Sequence, residues 1–98
     1  MAHTLTITAT KPANSQWFLD VHPDIAAKIA EFNRTYPGMT GSVRNTIDPN
    51  TVESIYTFDT LENMAKYRAD MVNNPAIIER KKFNSENGIV YTVTENSI

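Results

Sequence analysis

Four side chains in this sequence have the chemistry to act on a small molecule: Trp17, His22, Tyr56 and Tyr67. His22 and Tyr56 are the candidate catalytic residues, because an imidazole titrates near neutral pH and a phenol can donate a proton. His22 also stands directly before Pro23 at a helix entry, where a solvated or capping role competes with base catalysis. Trp17, the only tryptophan, is a candidate substrate-binding gate, since it lies in a long connection of the kind that often carries function. Tyr67 is the second candidate substrate-binding residue, offering a phenol from a helix as Tyr56 does from a strand. Packing competes for all three aromatics. Trp17 and Phe18 can tuck their loop against the helices, Tyr56 can join a core between sheets, and Tyr67 can lie at a helix margin.

Other chemistries find no footing. There is no cysteine, so disulfides, iron–sulfur clusters and thiolate zinc sites are excluded. Asp20, His22 and Asp24 are a loose set of oxygen and nitrogen donors without the spacing of a metal motif. The three glycines form no phosphate-cradling G-x-x-x-x-G-K pattern. No Ser-His-Asp or Cys-His arrangement stands out for nucleophilic hydrolysis. The first arginine is Arg34, too late for an acylphosphatase-like loop after the first strand. A net charge of −2 and the absence of aromatic–basic strand motifs argue against nucleic-acid binding.

The elements that must position these residues are legible from periodicity. Residues 3–10 alternate strictly, with Leu5, Ile7 and Ala9 on one face and threonines on the other, which predicts a strand. Ile25, Ile29, Phe32 and Tyr36 fall on one stripe of a helix over residues 23–35, opened by Pro23 and stopped at Pro37-Gly38. The intervening connection is long enough to contain an extra turn or short strand. Residues 40–47 and 52–58 read as a hairpin around Asp48-Pro49-Asn50-Thr51, a type I turn sequence. Asp59 is expected to cap the next helix with Glu62, and Leu61, Met64, Ala65, Met71 and Val72 to form its buried stripe. Asn74-Pro75 breaks that helix and starts a short piece over residues 76–82, whose Arg80-Lys81-Lys82 reads as a solvated helix end. Residues 88–95 alternate again as a last strand.

The order is β-α-β-β-α-β: a ferredoxin-like, four-stranded antiparallel sheet with the helices on one face. Val43, Ile47, Val52, Ile55, Tyr56, Phe58, Ile89, Val90, Tyr91 and Val93 place apolar groups on both sides of the strands, so a second layer is expected over the open face. A two-fold partner supplies that layer most simply. Arg44 and Asn45 point to opposite faces of their strand; the one that faces inward, if it is the arginine, must be paired or bind an anion. The 98 residues form one expected domain over 1–98, with 41% hydrophobic content suited to a modest core. No apolar run suggests a signal peptide or membrane span, and a cytoplasmic setting is expected.

The succession over residues 52–78, strand, cap, helix, Asn-Pro and helix again, followed by RKKFNSENGI and a last strand, resembles the antibiotic-biosynthesis-monooxygenase-like group of dimeric α+β barrels. The resemblance covers the whole chain in element order and is specific in its second half. It implies a homodimer with sheets packed face to face and a pocket in each subunit between sheet and helices. Haem-degrading relatives carry an asparagine on the first strand, a tryptophan on the third and a histidine on the second helix. Here those elements offer threonines, Tyr56 and Tyr67, which points away from haem. The resulting expectation is a monooxygenase-like enzyme for an apolar or phenolic substrate, with no metal and no organic cofactor. The competing expectation is a non-catalytic ligand-binding or assembly module that dimerises through its sheet.

Overall fold

The computed structural model describes residues 3–97. Strand β1 (His3–Thr10) is followed by a single helical turn, α1 (Phe18–Val21), within the long connection, and then by α2 (Pro23–Arg34). The hairpin β2 (Met39–Asp48) and β3 (Thr51–Phe58) leads into α3 (Leu61–Asn73), α4 (Pro75–Glu86) and β4 (Val90–Ser97). The sheet order is β2-β3-β1-β4 with every neighbouring pair antiparallel, the ferredoxin-like arrangement expected from the element order.

Register decides which side chains the helices cover. Leu5 sits opposite Tyr56, Ile7 opposite Ser54 and Ala9 opposite Val52; on the other side of β1, Ile7 faces Val93 and Ala9 faces Tyr91. Arg44 of β2 is paired with Ser54, which places it on this same face. The threonines of β1 alternate to the opposite face, with Ile55 of β3 and its partner Val43. Of the apolar residues expected to serve both sides, Val52, Tyr56 and Phe58 belong to the helix face and are buried. The open face is threonine-rich, and its apolar residues include Ile55, Val43 and Val90; the last two are 54% and 67% exposed.

Helix α3 packs on β1 and β3, α2 on β2, and α4 against α2 and α3. One buried cluster gathers Leu5, Tyr36, Tyr56, Phe58, Met64 and Tyr67; a second joins Phe18, Ile29 and Ile77 under α1, α2 and α4. Two local expectations are corrected. Thr60, not Asp59, is the cap of α3, its hydroxyl accepting the Asn63 backbone N–H at 3.1 Å. Asp59 is held back because its own N–H donates to the Gly38 carbonyl at 2.9 Å, so its carboxylate reaches only the Asn63 side-chain amide. Residue 62 therefore falls one position short of a capping box.

The buried stripe of α3 is Met64, Tyr67 and half-buried Met71, while Leu61 and Val72 are exposed, as is Ala65. Tyr67 was expected at the helix margin; its ring instead completes an i, i+3, i+7 face, and its polar end finds a partner inside. At the next break, Asn74 accepts the Ala76 and Ile77 N–H groups at 3.0 and 3.2 Å, with Pro75 at the first helical position. That start is so well satisfied that α4 runs on to Glu86, beyond the expected end at 82. The turn at Gly38 needs glycine: its φ is +88°, and a Cβ there would lie 2.3 Å from the Asn63 amide nitrogen.

Candidate functional site

A cavity of about 750 Å³ opens between the helix face of the sheet and the helices. Its floor includes Ile7 and Ala9 of β1, Ser54 and Tyr56 of β3, and Tyr91 and Val93 of β4. Its walls repeat at helical spacing. Helix α2 contributes Ala26, Ile29, Ala30, Asn33 and Arg34; α3 contributes Arg68, Met71 and Val72; α4 contributes Ile77, Arg80, Lys81 and Asn84. An apolar basin with a small number of polar groups at its margin is the usual form of a small-molecule site.

Two of the four sequence candidates line this cavity and two do not. Trp17 does, from the connection before α1, with the Lys11 ammonium 5.8 Å from its ring centroid. Tyr56 does as well, from the floor. No described residue hydrogen-bonds the Tyr56 hydroxyl, and no buried side-chain oxygen among the described residues lacks a partner. That hydroxyl therefore reaches the open space of the cavity. Tyr67 lies one layer deeper, 1% exposed, with the rings of Phe32, Tyr36, Tyr56 and Phe58 at centroid distances of 5.0–5.7 Å. Its hydroxyl donates to Asn33 Oδ1. Tyr67 thus supports the floor from below, and the Asn33 side chain it engages is itself part of the cavity wall.

His22 is placed elsewhere. It ends α1 and precedes Pro23, so the chain reverses there and turns its ring onto Phe18 and Phe83, at 5.3 and 5.7 Å. It borders a separate recess of about 90 Å³ with Glu79, Lys82 and Glu86. The fold therefore does not bring the two catalytic candidates, His22 and Tyr56, to one cavity. Among the described residues no three His, Asp or Glu side chains gather as metal ligands, Asp20, His22 and Asp24 included.

Sequence reasoning passed over Ser54, Asn33 and Arg80. Arg80 was read as part of a solvated helix end. Because α4 continues to Glu86, Arg80 stands mid-helix, half-buried, one turn from Ile77 on the cavity side. The i, i+3, i+4, i+7 spacing of Ile77, Arg80, Lys81 and Asn84 was the available signal, obscured by the two charges in its middle.

Two phenols are displaced from ordinary titration. Burial, then the hydrogen bond to Asp70 and its charge, push Tyr36 up to about 12. Burial raises Tyr67 further, Tyr56 adds to the rise, and the Arg80 guanidinium partly offsets it. Since an unfolded tyrosine titrates near about 10, the folded chain holds more protons than the unfolded chain above that pH. Their contribution to stability is complete below pH ~10 and is lost as pH climbs through the folded-state values. Melting curves from pH 8 to 12 are expected to show a falling Tm above pH ~10 that is shallower in Tyr36→Phe; a flat profile would contradict both shifts.

Neither protein-family models nor curated protein sequences give a match to this chain. Solved structures do, at low identity. A candidate antibiotic biosynthesis monooxygenase from Deinococcus radiodurans superposes with a TM-score of 0.70 at 14% identity, covering 100% of this chain and 92% of that one. The chain has the antibiotic-biosynthesis-monooxygenase-like fold. SnoaB, a cofactor-independent oxygenase from Streptomyces nogalater, matches with a TM-score of 0.65 at 12% identity over 99% of this chain and 92% of that one. A Nitrosomonas europaea protein of unknown function matches at 0.63 and 13% identity, over 100% and 90%. At these identities the shared property is the fold, so the chemistry rests on the side chains in the cavity. Among the described residues no helix is long and apolar enough to cross a membrane.

Proposed function

We propose that this chain oxygenates an apolar phenolic molecule in the sheet–helix cavity without a metal or organic cofactor, as a homodimer paired through its open sheet faces. The observation that carries the reading is the Tyr56 hydroxyl, without a hydrogen-bond partner among the described residues, standing in the floor of an apolar cavity large enough for a polycyclic ligand. Likeness of fold to a cofactor-independent oxygenase supports the reaction class. The chemistry balances without a helper: a ring CH2 activated by neighbouring phenols reacts with O2 to give a ring C=O and one water. All four electrons come from that carbon, and one oxygen atom goes to each product. The phenol of Tyr56 anchors the substrate oxygen and supplies or takes up a proton as charge moves through the ring. Val43, beside Ile55, and Val90, on the far edge strand, are both exposed on the open face and support the pairing.

The test is oxygen uptake with 1,8-dihydroxyanthrone in chelator-treated buffer, on protein whose dimeric state at micromolar concentration is established by sedimentation. Uptake equal to quinone formed is expected, with Tyr56→Phe slower by about 100-fold and still folded. A wild-type rate no faster than buffer removes the oxygenase assignment, and retained binding would then place the chain among non-catalytic ligand binders. Full activity in Tyr56→Phe removes that residue from the mechanism, and a monomer by sedimentation overturns the pairing.

A further inference from the structure

The charge around the cavity is one-sided. Five of the chain's nine lysines and arginines line it, Arg34, Arg44, Arg68, Arg80 and Lys81, and none of its eleven aspartates and glutamates does. This bias arises in a chain of net charge −2, so it is local to the cavity rather than general. Two of the five are neutralised from outside: Arg34 pairs with Glu31 along α2, and Arg68 donates to Glu95 at 2.7 Å. Arg44, Arg80 and Lys81 make no ion pair among the described residues. Arg80 is half-buried, lines the cavity and has no carboxylate partner among the described residues, which leaves its donors available to an anionic ligand. Arg44 reaches the cavity from the edge strand because its register with Ser54 turns it to the helix face. The helix-face residue of the Arg44–Asn45 pair is therefore the arginine, exposed at the cavity margin and without an ion-pair partner among the described residues.

We infer that the cavity takes an amphipathic anion, an aromatic ring system bearing a carboxylate or an ionised phenol, with the rings on the Ile7–Ala9–Val93 floor and the anionic group on Arg80 and Arg44. This deepens the small-molecule reading and rests on it. Planar guanidinium groups suit such a group because they offer two parallel donors to its oxygens. The absence of any acidic residue in the lining gives specificity as well, since a cationic ligand would meet only repulsion.

Calorimetric titration with 2-naphthoate and its uncharged counterpart 2-naphthamide separates this inference from the reading beneath it. Wild-type protein is expected to bind both, naphthoate about tenfold or more the tighter. Arg80→Met and Arg44→Met, which keep most of the aliphatic stem, are each expected to weaken naphthoate about tenfold and leave naphthamide unchanged. Arg44 is exposed, so its variant serves should Arg80→Met fold poorly. Equal wild-type affinities, or arginine variants that bind naphthoate like the wild type, overturn the anion inference while leaving the apolar cavity intact. Binding of neither ligand overturns both.

Discussion

Tyr67→Ala is expected to remove about 3–5 kcal/mol of folding stability, a large fraction of what a domain of this size possesses. Few single side chains in this fold touch so much of the interior. Four aromatic rings surround Tyr67, from α2, the turn after it, and the C-terminal end of β3, so truncation leaves a hole that a twisted sheet and three helices cannot jointly close. The hydroxyl adds a separable part. In Tyr67→Phe the ring packing survives but Asn33 Oδ1 loses its donor, and Asn33 is only 8% exposed; a cost of about 1–3 kcal/mol follows. Because Asn33 also lines the cavity, Tyr67→Phe should disturb ligand affinity, whereas a surface tyrosine exchange would not. Urea unfolding followed by circular dichroism measures both variants. A Tyr67→Ala midpoint close to wild type would mean that the aromatic cluster is not the stabilising core.

The same residue shows where sequence periodicity is informative and where it stops. Strict alternation in β1, the Ile25–Ile29–Phe32–Tyr36 stripe of α2 and the Asp48-Pro49 turn are local patterns, and each specifies its element and the element order. Asn74-Pro75 marks a helix start for an equally local reason, the two N–H groups its amide accepts. Tyr67 and Arg80 were misjudged because each has a polar end, and a stripe counted in apolar residues assigns such side chains to solvent. Their burial depends on partners remote in sequence: Asn33 for Tyr67, and an oppositely charged ligand, in our inference, for Arg80. His22 fails for another reason. Its direction is set by one helical turn, α1, inside a connection that carries no periodicity, and two residues' difference in that turn would send the ring to another face. The cavity itself is assembled from four strands and four helices. No contiguous stretch encodes it, although its helical walls can be recognised afterwards by their i, i+3, i+4 spacing.

Filling the cavity distinguishes a site from an incidental gap between layers. Ser54 is the place to do it, because it is small, half-buried in the floor, and flanked in register by Ile7 on β1 and Arg44 on β2. Ser54→Phe projects a ring between them, into space that is empty, so little of the usual cost of overpacking is incurred and the Tm should stay within a few degrees of wild type. A ligand that loses one ring's worth of buried apolar surface loses about 3 kcal/mol, or roughly 100-fold in affinity. Naphthoate and naphthamide should weaken alike, in contrast to the arginine variants, because the lost contact is with the rings. Ser54→Ala, which removes a hydroxyl without adding volume, should bind nearly as the wild type does. Turnover of 1,8-dihydroxyanthrone should fall together with affinity in Ser54→Phe. If oxygen uptake persists while both naphthyl ligands are excluded, the reaction occurs outside this cavity and Tyr56 loses its assigned place in it. If dimerisation alone survives, with no ligand bound by the wild type either, the sheet face is the functional surface and the chain is an assembly module.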